Sequence, residues 1–222
     1  MSTADRQGRA QAYAALGDPV RLHIVDLLAH DDLSPKQLAG AVDLPTNLLA
    51  HHLQTLERAG LIERHHSEGD RRRTYVTRTA ACERLVGLPS INPPDAVAFV
   101  CSHNSARSQL AEAYWRTVSS LPVTSAGTDP AAAVHPLAVA TGRRHGLDLS
   151  AAQPKLIDQA LTGGELVVSV CDLAHESIGD TDLHWSIPDP AARADEDAFE
   201  AAFVELVARI DRLTSAISSA KR

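Results

Sequence analysis

The chain has 222 residues, 44% of them hydrophobic and 22% charged, the balance of a globular protein with room for one large core or two small ones. No run of about eighteen apolar residues occurs, which argues against a membrane span. The opening residues, Met1 to Arg6, carry no apolar stretch resembling a secretory signal. Three widely spaced cysteines, an odd number, argue against a disulfide framework and for a reducing cytoplasm. The net charge of −7 is uneven: residues 1–90 hold eleven Lys/Arg and eleven Asp/Glu, whereas residues 91–222 hold ten against seventeen. Six of the eleven histidines also lie in the first part. A neutral part bearing His and Arg is a possible nucleic-acid surface and an acidic part a poor one, so two domains are expected.

Residues 1–80 read as helices followed by a hairpin. Arg6 to Leu16 is a modest helix, broken by Gly17-Asp18-Pro19, where Asp18 can cap a second helix with Pro19 in its first position. Val20, Leu22, Ile24, Val25, Leu27 and Leu28 carry that helix to near His30. Ser34 caps a short helix holding Leu38, Ala39 and Val42, Leu44-Pro45-Thr46 makes a turn, and a further helix runs to Ala59 and stops at Gly60. Its apolar stripe is Leu49, Leu53 and Leu56. Two short helices joined tightly, the second with a polar face, form the helix-turn-helix pattern. Leu61 to His66 and Arg73 to Thr77 then read as paired strands. The candidate DNA contacts are Thr46, Asn47, His51, His52 and Gln54, with Arg71, Arg72 and Arg73 at the hairpin reaching phosphates. The plainer alternative is a small helical domain with a solvated charged loop.

The run from Leu44 to Ile62 strongly resembles the recognition helix of ArsR-type winged-helix repressors, and Ala15 to Leu22 resembles that family's opening. The resemblance spans about residues 10–80. It implies an α+β winged helix-turn-helix that binds operator DNA as a homodimer, with half-sites about one helical turn apart. Members that sense metals or arsenite often carry a cysteine pair on the helix before the recognition helix. Here Ser34 to Ala39 has no thiol, so any sensing must come from elsewhere in the chain.

Residues 81–95 read as a linker. Ala80 to Val86 is a short helix, and Gly87 to Pro94 is a Pro/Gly-rich boundary too stiff for a loose tether. Cys82 reads chiefly as a small core residue, with a ligand or redox role as the alternative.

In residues 96–222 the informative stretch comes first. An apolar strand, Ala96 to Val100, ends at Cys101; five mostly small residues follow before Arg107, and a helix then carries Leu110, Ala111, Tyr114, Trp115 and Val118. A strand–loop–helix of this kind aims successive backbone N–H groups and a helix N-terminus into one concavity, an oxyanion cradle. The Gly-Lys-Ser/Thr ending of a nucleotide P-loop is absent. The cradle residues are Ser102, His103, Asn104, Ser105, Ala106, Arg107 and Ser108. A thiol on the floor of such a nest, beside a guanidinium, favours its thiolate. Arg107 offers a planar fork for two oxygens, Ser108 can bond the Cys101 sulfur, and Asn104 can brace the loop. The bland alternative is a buried structural cysteine. Further on, Val123 to Thr128 and Leu166 to Cys171 read as strands, and His135 to His145 (closed by Gly146) and Ala198 to Ile217 as helices. This alternation implies a parallel α/β sheet with its chemistry at the carboxyl ends of strands, where Cys101 and Cys171 both fall.

The run from Val100 to Ala113 resembles the active-site loop of the low-molecular-weight protein tyrosine phosphatase superfamily, and most of all the arsenate reductases built on that fold. Ser125 to Gly127, Leu147 to Ser150 and His184 to Pro190 extend the match. The resemblance implies a three-layer α/β domain with Cys101 as nucleophile, Arg107 as oxyanion clamp, Asp189 as general acid and Cys171 as resolving thiol. Asp172, Asp180 and Asp182 are rival acids, and a turn-forming Asp-Pro is the structural alternative for Asp189. Two departures matter. The relay position seven residues after Cys171 is Ile178, and the loop position that is Cys in some relatives is Ala106. An external thiol (thioredoxin, glutathione or mycothiol) would then complete the cycle, with no tightly bound cofactor and no metal. Three readings follow: an arsenic-responsive repressor fused to a thiol-dependent arsenate reductase; a non-catalytic oxyanion or arsenite sensor, with arsenite on Cys101, Cys171 and Cys82; and, more weakly, a phosphotyrosine phosphatase.

Overall fold

A computed structural model describes residues 3–179 and 181–219. The chain divides into two compact units, residues 1–67 with 71–89 and residues 68–70 with 90–222.

The first unit runs α1 (Thr3–Leu16), α2 (Pro19–Leu27), α3 (Pro35–Ala41), α4 (Thr46–Arg58), β1 (Ile62–His66), β2 (Thr74–Arg78) and α5 (Ala80–Glu83). Its boundaries have local causes. Asp18 accepts the N–H of Arg21 at 3.0 Å and Pro19 opens α2. Ser34 and Gln37 form a capping box at the start of α3. Gly60, at φ +69°, ends α4 in the left-handed region. Helix α2 stops at Leu27, short of His30, because the chain must straighten for Leu33 to exchange two backbone bonds with Val76, at 3.2 and 2.9 Å. Helix α5 is likewise a single turn, capped by Thr79, and stops short of Val86. The strands pair antiparallel from Ile62↔Arg78 to His66↔Thr74. Ile24, Val25, Leu38, Leu49, Leu53, Leu56, Leu61 and Val76 fill the core, together with Cys82.

The second unit runs β3 (Ala96–Cys101), α6 (Arg107–Val118), β4 (Val123–Gly127), α7 (Pro136–Arg144), α8 (Ile157–Ala160), β5 (Glu165–Ser169), α9 (Asp172–Ile178), β6 (Leu183–His184), α10 (Pro190–Arg193) and α11 (Glu196–Ser219). Its four strands are parallel in the order β4-β3-β5-β6. Strand β3 is central and buried on both faces, which is why it reads as an unbroken apolar run rather than an alternating one. Phe99 at its middle contacts Trp115 and Trp185, with ring centroids 5.7 and 5.8 Å away. Helices α6, α7 and α11 pack on one another, and α9 packs on β3 and β5. Strand β5 ends at Ser169, so Cys171 lies beyond the strand that the sequence assigns to it. It is instead the N-cap of α9, its sulfur accepting the N–H of Ala174 at 3.4 Å. No helix among the described residues is long and apolar enough to cross a membrane.

Candidate active site

The loop from Cys101 to Ala106 is shaped by bonds to its outer side. The carbonyls of Cys101, Ser102, His103 and Ser105 accept the backbone N–H groups of Thr128, Asp129, Ala131 and His135 at 3.3, 2.9, 3.0 and 2.8 Å. With its oxygens so engaged, the loop has its amides left to serve another acceptor. Among the described residues, no backbone acceptor takes up the N–H groups of residues 102–106. A row of such donors running into the first turn of α6 is an anion cradle. Gly127 makes the close approach possible: a Cβ there would lie 2.6 Å from the Ser102 carbonyl oxygen and 2.9 Å from the Asn104 nitrogen.

Asn104, wholly buried at φ +45°, braces the cradle from below. Its Oδ1 accepts the Lys155 N–H at 2.8 Å and Gln109 Nε2 at 3.1 Å, which fixes the amide's orientation. Its Nδ2 donates to Ser108 Oγ at 2.8 Å and Ser125 Oγ at 2.9 Å. Because Ser108 Oγ accepts from Asn104, its own proton is available to Cys101 Sγ, 2.9 Å away. Ser125 in turn donates to the buried carboxylate of Glu112 at 2.5 Å, and that carboxylate also pairs with Arg116 and, at 3.7 Å, with Lys155. Cys101, the loop and the sheet are thereby joined through one polar network.

Arg107 is buried, its Nη1 donating to the Ile187 carbonyl at 2.6 Å and its Nη2 lying 3.3 Å from Asp189 Oδ1. Asp189, its side chain partly exposed, also caps α10 through the N–H of Ala191. The rivals are engaged elsewhere: Asp172 is buried against His184, and Asp182 accepts the Val167 N–H at 2.7 Å on the sheet. Asp180 lies outside the described residues. Cys171 is buried, with its sulfur 3.4 Å from Ser102 Oγ. Burial pushes its thiol up, against the opposing pull of the Arg107 charge.

Cys82 belongs to the core of the first unit, and burial pushes its thiol up too. Among the described residues no group of three or more His, Cys, Asp and Glu could hold a metal ion. Cys82 thus has the core role that the sequence gives it first. Of the DNA-facing candidates, Thr46, Asn47, His51, Gln54, Arg71, Arg72 and Arg73 are exposed. His52 is buried and turned to Asp18, 3.7 Å from it, because it follows the α4 register of Leu49, Leu53 and Leu56 inward; it leaves the exposed set.

Residues 96–222 match the low molecular weight phosphotyrosine protein phosphatases. The chain belongs to that family. Residues 16–65 match a helix-turn-helix domain, so this phosphatase-family unit follows a DNA-binding type of module. An arsenate reductase of Brevibacillus brevis is 33% identical over 105 residues, 44% of this chain and 78% of the relative. A glutaredoxin arsenate reductase of Synechocystis is 30% identical over 130 residues, 55% of this chain and 98% of the relative. A solved structure described as an arsenate reductase in the phosphate binding state is 28% identical over 55% of this chain and 98% of its own, with a TM-score of 0.48. Sequence reasoning missed the roles of Gln109, Glu112, Gly127 and Lys155 around the phosphatase-type loop. The legible signal was Glu112, a charged residue one turn after Ser108 and set among Leu110, Ala111 and Ala113.

Proposed function

We propose that residues 96–222 form a thiol-dependent arsenate reductase, joined by a linker at 81–95 to a winged-helix repressor domain at 1–80 that binds operator DNA as a homodimer and responds to arsenic. The observation that carries the reading is the set Cys101, Arg107 and Asp189 around a loop whose amides are left to serve another acceptor, with a second thiol, Cys171, on the adjoining Ser102. The relatives named arsenate reductase support the choice of arsenic over a phosphoester.

In the proposed cycle the loop amides and the Arg107 fork hold the arsenate oxygens while the Cys101 thiolate attacks arsenic. An As–O bond breaks, and Asp189 gives its proton to the departing oxygen so that it leaves as water. Cys171 then attacks Cys101 Sγ. A disulfide forms, the S–As bond breaks, and its electron pair remains on arsenic, which leaves as arsenite. Before attacking, Cys171 must lose a proton that burial makes it keep, and Arg107 is the charge that favours the loss. An external thiol (thioredoxin, glutathione or mycothiol) then reduces the disulfide, since Ala106 and Ile178 stand where a relay cysteine would.

Those same two residues favour a second reading, an oxyanion sensor without turnover that alters DNA affinity. The deciding experiment is arsenate reduction by the purified full chain, wild type against Cys101→Ser, with each of the three thiol systems. Turnover that requires Cys101 is expected. Its absence under all three would overturn the reductase reading and leave DNA titration with arsenate and arsenite to test the sensor.

A further inference from the structure

Behind the cradle lies a buried polar cluster that the proposed cycle does not use. Asp172, 4% exposed, accepts His184 Nε2 on Oδ1 at 3.1 Å and is also bonded by Ser186. His184, 1% exposed, shares a hydrogen bond between Nδ1 and the Ser169 hydroxyl at 2.9 Å, and its ring stacks on His175 at 4.1 Å. His175 is itself bonded to Thr181 at 2.9 Å.

The cluster's place in the chain gives it a consequence. His184 and Ser186 open the segment that delivers Ile187 and Asp189 to Arg107. That segment has little ladder of its own: β6 is two residues long, and beyond it the backbone bonds run from Trp185 N–H to Ser169 at 2.8 Å and from Ile187 N–H to Trp185 at 2.9 Å. At its far end the segment is held by Arg107, through Ile187 O and Asp189, and by Glu68 Oε2, which accepts the Asp189 N–H at 2.7 Å. Those guanidinium nitrogens are also the ones an incoming oxyanion would claim. In the loaded site more of the anchoring then falls to the near end, which is the Asp172 carboxylate. Burial alone would push that carboxyl up, but the bonds from His184, from Ser186 and from the Glu68 N–H, which reaches Oδ2 at 2.8 Å, together outweigh it and hold it below the usual range, so it remains an ionised acceptor.

We propose that Asp172 is a positioning residue for Asp189: by gathering His184 and Ser186 it fixes the segment that holds the acid over the cradle. The proposal rests on the reading of Asp189 as the general acid. It is independent of whether arsenate is the natural substrate.

The test uses the full chain carrying Asp172→Asn, with Ser186→Ala as a milder second variant and Asp189→Asn as the benchmark for a lost acid. Phenyl phosphate needs a proton on its leaving oxygen and dinitrophenyl phosphate does not. Asp172→Asn is expected to slow the burst of phenol release about 10–100-fold at unchanged KM, and the dinitrophenol burst by no more than about threefold. Equal slowing of both, or of neither, overturns the proposal. Backbone hydrogen exchange supplies a readout that needs no turnover. The amides of residues 185–191 should exchange about tenfold faster in Asp172→Asn while those of β3 and α6 keep their protection. Unchanged exchange there overturns the proposal even where arsenate is reduced normally. Loss of arsenate reduction in the wild type, with the exchange effect present, overturns only the reductase reading.

Discussion

Gly127→Ala isolates the geometry of the cradle from its chemistry. The added methyl carbon would meet the Ser102 carbonyl oxygen at 2.6 Å, the Asn104 nitrogen at 2.9 Å and Asn104 Cβ at 3.0 Å. Ordinary contact begins near 3.4 Å, so the loop backbone must retreat by about 0.8 Å. Strand β4 cannot give way instead, because the Gly127 N–H is committed to Lys155 O at 2.8 Å and Gly127 pairs with Cys101. Overpacking of this kind costs about 1–3 kcal/mol, and a shift approaching 1 Å in a reacting group can lower a rate about a hundredfold. We expect phosphate or arsenate to bind at least about tenfold more weakly by titration calorimetry, with a fall of several degrees in the melting temperature. Gly142→Ala is the contrast. Its nearest obstacle, at 2.4 Å, is the tip of the Leu149 side chain, which can rotate, and anion affinity should be retained. Wild-type affinity and melting in Gly127→Ala would refute the claim that this glycine sets the loop's curvature.

Other expectations follow from single interactions. Ser108→Ala removes the hydroxyl 2.9 Å from Cys101 Sγ and should slow the Cys101 reaction about 10–100-fold in single-turnover kinetics, since a hydrogen bond to a charged group is worth about 1.5–3 kcal/mol. Cys171→Ser should prevent the loss of two hydrogens that intact-mass analysis detects when arsenate oxidises the wild type; an unchanged loss would place the disulfide elsewhere. Asp172 has a depressed carboxyl in the folded state, so its contribution is present above the unfolded value of about 3.9 and is lost as pH falls through the folded value. Melting temperature against pH should therefore fall less steeply below about pH 4 in Asp172→Asn than in wild type. Replacing Arg71, Arg72 and Arg73 with alanine should weaken operator and random DNA alike and flatten the log–log salt dependence by about 0.9 for each phosphate no longer neutralised. An unchanged slope would remove the hairpin from the interface.

Much of this architecture is legible in the sequence because each feature is local. Asp18-Pro19 and Ser34 with Gln37 state where helices begin, Gly60 states where one ends, and the apolar run before Cys101 can only be a buried strand. The Cys–Arg spacing likewise reads directly as a strand–loop–helix. What escapes such a reading depends on residues distant in the chain. Asn104 meets Lys155 and Ser125, and Asp172 meets His184, through side chains whose neighbours give no periodic signal. His52 misleads because helical phase, not polarity, decides which way a residue on α4 points. Cys171 reads as a strand residue because an apolar run does not show where the ladder stops and the next helix's cap begins.

The bonded carbonyls of the loop carry a lesson for changing which anion the proposed site would take. The curvature of residues 101–105 is impressed by Thr128, Asp129, Ala131 and His135, which are fastened to the back of the loop through their own backbone. Residues 128–135 act as a mould whose casting is the cradle. Substitution inside the cradle removes donors, whereas a change of length or stiffness in the mould resizes the ring and keeps every donor. A library aimed at larger or smaller oxyanions therefore belongs in residues 128–133, with Val134 kept on the core and His135 kept as the cap of α7, so long as the four backbone N–H groups keep their places.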